Sequence, residues 1–177
     1  SNILSPGPGV GGHCISVDPW FLVEAAPDIT PLISIARKVN DSQPEFVVKL
    51  VEHALGSFDG KKIAALGLSY KPDVDDMRES PAIEIIRLLQ EAGAKVTAYD
   101  PFLKGEAPAG ISSAEFNDAI ANADLLLLLV GHTELKTLNP SQISSLTTAR
   151  TAIDTVNGWE KVSWQNAGFR LLKLGGR

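Results

Sequence analysis

The sequence predicts an α/β protein with a Rossmann-like parallel sheet, helices on both faces of that sheet, and a helical segment before it. Two short apolar runs, 63–68 and 125–130, contain no charged residue, which is typical of strands buried on both faces. Segments with helical apolar spacing alternate with these runs and with three further strand candidates, an order that favours a parallel sheet. The region before residue 58 has helical spacing only. We therefore predict a helical unit within 1–58 and a sheet domain over 59–177.

The helical unit is predicted to be a helix pair or one kinked helix over 31–55. Its apolar residues recur at helical spacing in two sets, which the sequence Asn40-Asp41-Ser42-Gln43-Pro44 separates. Ser42 is a candidate N-cap for the second helix, and Pro44 suits its first turn, where a missing N–H costs no hydrogen bond.

The sheet domain shows strand and helix signals in alternation. Ser80 is a candidate N-cap before a helix that starts at Pro81, and Gly93 is placed to end it. The other predicted elements are strands at 95–99, 151–154 and 169–174, and helices at 113–123, 141–146 and from Trp159 onward. Ligands of such sheets bind beyond the carboxyl ends of the strands, so we expect loops 69–79, 100–104 and 131–134 to share one rim.

Composition excludes several classes of function. The net charge is −5 and no long basic run occurs, which argues against a nucleic-acid partner. The single cysteine cannot form an internal disulfide, which suits a reducing, cytoplasmic location. No apolar run is long enough to cross a membrane. The acidic residues near 73–79 complete no calcium loop and the three histidines fit no zinc pattern, so no metal site is predicted.

A glycine-rich stretch, GPGVGGHC at 7–14, leads to the only cysteine. Gly7, Gly9 and Gly12 have the spacing of a dinucleotide fingerprint, but that motif needs a strand before it and a helix after it. Few residues precede the stretch, and we expect Pro19 to interrupt any helix that follows. We therefore favour a loop whose small residues let backbone N–H groups surround an anion or a reacting centre at Cys14.

Cys14 and Asp18 are candidate catalytic residues. A thiolate is a strong nucleophile, and nearby N–H groups would lower its pKa and bind an oxyanion. The alternative is a buried cysteine that acts only as a small apolar residue. Asp18 lies four residues further on, where it could hold a water molecule or accept a proton, or merely begin a turn before Pro19.

The segment 69–80 is a candidate anion site. Lys71 and Arg78 lie just before the predicted start of a helix, where positive charge suits phosphate groups. The alternative is a solvated loop whose four acidic residues cancel these two cations.

Four motifs occur in order along nearly the whole chain: GPGVGGHCISVDPWF, ARKVND, LGLSYKPDVDDMRESPA and ADLLLLLVGHTEL. Together they resemble the C-terminal part of the UDP-glucose/GDP-mannose dehydrogenase family. The VDPWF variant resembles the subgroup of that family that acts on UDP-N-acetyl-D-mannosamine. Many family members have Lys before the motif's Asp, whereas this chain has Val17, which departs from the family's pattern at a position of expected cofactor contact.

The resemblance implies an NAD-dependent oxidation of a sugar C6 alcohol to a carboxylate in two steps, giving a UDP-sugar uronic acid for bacterial surface polysaccharide. Cys14 would carry the thiohemiacetal and thioester, and Asp18 would assist water and proton transfer. The residues expected to bind the UDP-N-acetylhexosamine substrate are Gly9, Gly11, Gly12, Tyr70 and Lys71. Arg78 would reach the NAD pyrophosphate.

The resemblance also implies a longer protein. We expect the N-terminal NAD domain to be absent from this chain, 1–58 to hold the nucleophile loop and part of a central dimerisation segment, and 59–177 to bind the UDP-sugar. A homodimer is expected. The alternatives left open are a UDP-glucose or UDP-N-acetylglucosamine 6-dehydrogenase, a non-catalytic nucleotide-binding module, and a thiol-dependent hydrolase that would need a base such as His13 beside Cys14.

Overall fold

A six-stranded parallel sheet lies at the centre of the protein in the computed structural model, which describes residues 6–176. Residues 1–5 and 177, which the predicted units include, lie outside the described residues. The strands are β1 (Lys62–Leu66), β2 (Lys95–Tyr99), β3 (Ser112–Ser113), β4 (Leu125–Leu128), β5 (Thr151–Asp154) and β6 (Arg170–Lys173). Their order is β3-β2-β1-β4-β5-β6, and all pairs are parallel. The predicted fold class is confirmed, and the chain changes direction across the sheet between β1 and β4.

Helices cover both faces of this sheet. The helices of the chain are α1 (Asp18–Ala25), α2 (Pro31–Asp41), α3 (Gln43–Leu55), α4 (Pro81–Glu91), α5 (Phe116–Ala121), α6 (Thr133–Lys136), α7 (Pro140–Leu146) and α8 (Lys161–Asn166), with a 3₁₀ turn at Pro27–Ile29. Those that pack on the sheet belong to the segment from α3 onward, whereas α1 and α2 contribute no residue to the apolar cores of the described part of the chain. Within residues 6–176, no helix has both the length and the apolar content needed to cross a membrane.

Alternate side chains of the central strands enter two separate cores, because successive residues of a strand point to opposite faces. On one face Ile63, Ala65 and Leu127 pack with residues of α3 and α4. On the other face Leu66 and Leu128 pack with α5, α7 and α8, and with a stacked Trp159–Trp164 pair. Since α3 belongs to the first core, it fixes the helical segment to the sheet domain.

The helix that follows the first loop is built as predicted. Ser80 Oγ accepts a hydrogen bond from the N–H of Ala82 at 3.3 Å, and Pro81 is the first residue of α4. Gly93 follows the end of α4 with φ of 100°, a conformation that glycine adopts without strain.

The helix pair over 31–55 is confirmed, but the predicted cap is wrong. Ser42 has helical backbone angles, φ −83° and ψ −7°, and its Oγ donates to the carbonyl of Val39 instead of accepting from α3. Pro44 lies in the first turn of α3, as predicted.

Other elements also differ from the prediction, and β1 and β4 each end two residues before the end of the apolar run, 63–68 or 125–130, that predicted it. Pro19 does not interrupt a helix, because it lies in the first turn of α1, where its missing N–H has no helical partner. The helix predicted over 113–123 is shorter, since the chain first forms β3. The helix predicted from Trp159 starts at Lys161, because the carboxylate of Glu160 accepts the N–H groups of the first turn.

Candidate functional site

The loops that follow β1, β2 and β4 meet at the carboxyl edge of the sheet. The buried carboxylate of Asp100, just after β2, accepts the N–H groups of Leu68 and Ser69 at 2.6 and 3.1 Å. His132, just after β4, is fully buried and lies 3.1 Å from both Asp100 Oδ2 and Ser69 Oγ. The predicted common rim is therefore confirmed.

The hydrogen bonds around His132 fix its tautomer. Its Nδ1 accepts the N–H of Asp73 at 2.9 Å, so the ring proton is on Nε2 and points at Asp100 and Ser69. Asp73 in turn accepts the N–H and the hydroxyl of Thr133 at 2.8 and 2.7 Å. The two ring nitrogens of His132 thus hold the loop after β1 at two points, Ser69 at Nε2 and Asp73 at Nδ1.

This Ser-His-Asp group is not a hydrolase triad. A triad histidine uses one nitrogen for the serine and the other for the aspartate, whereas here Nε2 faces both Ser69 and Asp100. Nε2 carries a proton and so cannot accept one from the serine, whose hydroxyl donates to the carbonyl of Lys71 at 2.9 Å. The group positions the loop that carries Tyr70 and Lys71.

Asp100 remains ionised in this buried setting. Burial raises the pKa of its carboxyl, but the hydrogen bonds from His132 and from the N–H groups of Leu68 and Phe102 favour the charged form, and the net shift is downward.

The glycine-rich loop packs directly on the loop after β1. The N–H of Gly12 donates to the carbonyl of Arg78 at 3.1 Å. A Cβ on Gly11 would lie 2.3 Å from the carbonyl oxygen of Glu79, and one on Gly12 would lie 2.8 Å from the ring of Tyr70. These glycines are required for contact between two parts of this chain.

The expectation that the N–H groups of this loop surround an anion is wrong for two of them. The N–H of Gly12 is taken by Arg78, and that of Val10 donates to Asn40 Oδ1 at 2.9 Å.

Cys14 and Asp18 lie on one helical turn at the edge of this loop. The carbonyl of Cys14 accepts the N–H groups of Val17 and Asp18 at 3.1 and 2.8 Å, so a single main-chain turn joins the cysteine to the first residue of α1. Both are exposed, so the alternative of a buried cysteine is wrong. Within residues 6–176 no hydrogen bond joins Cys14 to a histidine, which gives the hydrolase alternative no support.

Arg78 is exposed and held by a neighbouring carboxylate. Its Nε lies 3.0 and 3.1 Å from the two oxygens of Asp76, and its Nη2 lies 2.6 Å from one of them. These bonds lower the pKa of Asp76 to about 2 and raise the pKa of Arg78. Asp75 pairs with Lys104 at 2.7 Å, so the acidic residues of this loop are largely occupied.

A cavity of about 530 Å³ opens at the carboxyl ends of β1 and β4. Its walls are the glycine-rich loop, residues 69–72, the N-terminus of α4, residues 129–131, Lys136 and Val156. Tyr70, Lys71, Gly9 and Gly11 line it, and the Lys71 ammonium lies 5.3 Å from the centre of the Tyr70 ring. Arg78 lines a different cavity, of about 780 Å³, beside α1 and α2. Lys71 and Tyr70 therefore lie in a different cavity from Arg78, Gly9 lines both cavities, and the predicted substrate residue Gly12 lines neither.

Sequence reasoning assigned no specific contact to three residues that shape this region. His132 and Asn40 hold the two loops, and Lys136 reaches the smaller cavity. His132 directly follows a buried strand and Gly131, which was an available signal. The contacts of Asn40 and Lys136 depend on folding and leave no local pattern.

Family models match two parts of the chain. The model described as the UDP binding domain of the UDP-glucose/GDP-mannose dehydrogenase family matches residues 64–161, and that of the same family's central domain matches residues 1–42.

Curated proteins and solved structures are similar over most of this chain. An NDP-N-acetyl-D-galactosaminuronic acid dehydrogenase of Ralstonia solanacearum is 44% identical over 89% of the chain and 37% of its own length. A UDP-N-acetyl-D-mannosamine dehydrogenase of Methanocaldococcus jannaschii is 38% identical over 98% of the chain and 40% of its own length. The structure of a UDP-D-ManNAc dehydrogenase from Pyrococcus horikoshii matches with a TM-score of 0.85 at 30% identity, over 99% of the chain and 41% of its own. The chain spans about two fifths of the length of these proteins.

Proposed function

Because the chain belongs to the UDP-glucose/GDP-mannose dehydrogenase family, we propose that it is the substrate-binding part of an NAD-dependent UDP-N-acetyl-D-mannosamine 6-dehydrogenase that acts in the cytoplasm. The observation that carries this proposal is the cavity at the β1–β4 switch point, with Lys71 and Tyr70 in its wall and an exposed Cys14 on the loop that borders it. The name of the Ralstonia relative, an NDP-N-acetyl-D-galactosaminuronic acid dehydrogenase, favours a nucleotide sugar that carries N-acetyl-D-galactosamine as a second candidate substrate.

Cys14 supplies the nucleophile in this proposal. Its thiolate adds to the C6 aldehyde, a carbon–sulfur bond forms, and the carbonyl oxygen gains a proton to give a thiohemiacetal. After the second oxidation the sugar is a thioester. Water then attacks the thioester carbonyl, the carbon–sulfur bond breaks, and the carboxylate and the thiol are released. Asp18, on the same helical turn, takes the proton from that water.

NAD fits the residues present because Asp76 orients the exposed guanidinium of Arg78. The main-chain carbonyl of Arg78 also accepts a hydrogen bond from Gly12, in the loop that carries Cys14. Arg78 would hold the pyrophosphate. NAD, when bound, provides the acceptor for the hydride removed in each oxidation.

The test is calorimetric titration of the chain with UDP, UDP-N-acetyl-D-mannosamine and NAD separately. We expect both UDP ligands to bind and NAD to bind weakly. Lys71→Met should weaken UDP binding about tenfold, the effect of losing one charge-assisted hydrogen bond. Lys95→Met is the matched control, because Lys95 is exposed at the amino-terminal end of β2. Tight binding of NAD with no binding of either UDP ligand would contradict the proposal.

A further inference from the structure

Lys136, the last residue of α6, lies in the wall of the smaller cavity. It has no salt-bridge partner in the part of the chain that the structure describes, whereas Lys61, Lys104 and Lys173 lie 3.9, 2.7 and 3.8 Å from a carboxylate oxygen. Its ammonium group is therefore available to a ligand.

The charge of this cavity differs from that of the rest of the protein. Among the described residues, Lys71 and Lys136 are the only charged side chains in its wall, although the net charge of the chain is −5. The larger cavity is different, since its arginines Arg37, Arg78 and Arg87 are matched by acidic residues in the same wall. Of these two cavities, only the smaller one therefore has a wall with a net positive charge, which favours an anion.

The aliphatic part of the Lys136 side chain lies against Gly158 and Gly131. A Cβ on Gly158 would lie 2.8 Å from Lys136 Cγ and 3.4 Å from Cδ, and a Cβ on Gly131 would lie 3.6 Å from Cδ. The lysine side chain thus runs through a space that a larger residue at position 158 would fill.

Hydrogen bonds of Asp154 and of Trp159 fix the main chain around that side chain. The buried carboxylate of Asp154 accepts the N–H groups of Val156, Gly158 and Trp159 at 3.0, 3.1 and 2.9 Å, which sets the loop after β5. The indole N–H of Trp159 donates at 2.9 Å to the carbonyl of Leu135, the residue before Lys136.

We propose that Lys136 binds the diphosphate of the nucleotide, as a second cation that reaches the pocket from a different element than Lys71. The inference rests on the proposed function, which supplies a nucleoside diphosphate as the ligand. The N-terminus of α4 lies in the same wall and adds a favourable dipole.

The experiment compares the wild-type chain with Lys136→Met by calorimetric titration with UDP and with uridine. Methionine retains an unbranched side chain against Gly158 and lacks only the ammonium group. We expect the affinity for UDP to fall at least about tenfold and its dependence on salt to weaken, with uridine binding unchanged. The Lys95→Met control should bind both ligands as the wild type does.

The outcomes separate the inference from the function on which it rests. If the wild type binds UDP and Lys136→Met binds it equally well, the inference is overturned and the proposed function stands. If UDP and uridine lose affinity equally, Lys136 does not act on the phosphates and the inference is also overturned. If the wild type binds no UDP, the proposed function fails and the inference fails with it.

Discussion

The main chain of Glu79 and the ring of Tyr70 come so close to Gly11 and Gly12 that neither position accepts a side chain without movement. Gly12 also has φ of 89°, which adds backbone strain for any other residue, whereas the obstacle at Gly11 is contact alone. The contacted atom at Gly11 is a carbonyl oxygen of the main chain, which cannot rotate away as a long side chain can.

We expect Gly11→Ala to lower the free energy of unfolding by about 1–3 kcal/mol, because the new methyl group must displace the segment around Glu79. Gly7→Ala is the matched control, since a Cβ there meets nothing within 4 Å. Urea denaturation of both variants and the wild type measures the difference. Equal stability of the two variants would show that the loops are not in contact as described.

Three loops act as one element around His132 and Asp100. Asp100 belongs to the loop after β2 and His132 to the loop after β4, and both accept hydrogen bonds from the loop after β1. The loop that carries Tyr70 and Lys71 is therefore fixed to the loops of the two strands that flank β1. Since the pKa of Asp100 is lowered on folding, its charged form is the one that the folded state favours.

This shift gives a pH dependence with a definite sign. The stability that Asp100 contributes is complete above its ordinary pKa of 3.8 and is lost as the pH falls through its lower folded value. Asp100→Asn should be less stable than the wild type at pH 7, and the gap should narrow in acid because only the wild type loses this carboxylate. Urea denaturation between pH 3 and pH 7 measures it, with Asp59→Asn in an exposed turn as the control. A gap that stays constant over this range would contradict the prediction.

The core sheet could be predicted because burial on both faces leaves a local pattern. The bounds 95–99 and 151–154 coincide with β2 and β5. β3 could not be predicted, since it consists of two exposed serines whose pairing with β2 depends on the edge of a formed sheet. Cys14, Lys71 and the other candidate residues could be named from motifs. The separation of Lys71 from Arg78 into two cavities could not, because it depends on contacts between residues more than 50 positions apart.

The helical segment before the sheet and the sheet domain differ in the amount of apolar surface that they expose. Among the described residues, eight of the ten exposed large apolar side chains lie between residues 15 and 46, and the other two lie in α7 and α8. Leu32, Ile35 and Val39 form a stripe along α2 and are 79, 59 and 59% exposed. An exposed apolar surface of this kind marks a site of association.

We therefore predict that the chain self-associates through α2, and that sedimentation velocity shows a mass that rises with concentration. A Leu32→Glu and Ile35→Glu double variant should sediment as a monomer, because charge on that stripe opposes its burial. Val162→Glu, at an equally exposed position in α8, should associate as the wild type does. A wild-type chain that remains monomeric at high concentration would contradict the prediction.

The contact between Gly12 and Arg78 also has a consequence for synthesis of the protein. Cys14 leaves the ribosome more than 60 residues before the segment that shapes its loop. At roughly 5–20 residues per second, the nascent chain carries the thiol on an unformed loop for several seconds. During that interval no glycine contact orders the segment, and an oxidant meets the cysteine on a flexible chain. A reducing environment therefore matters to this residue from the start of synthesis, and it continues to matter in the folded protein, where Cys14 is exposed.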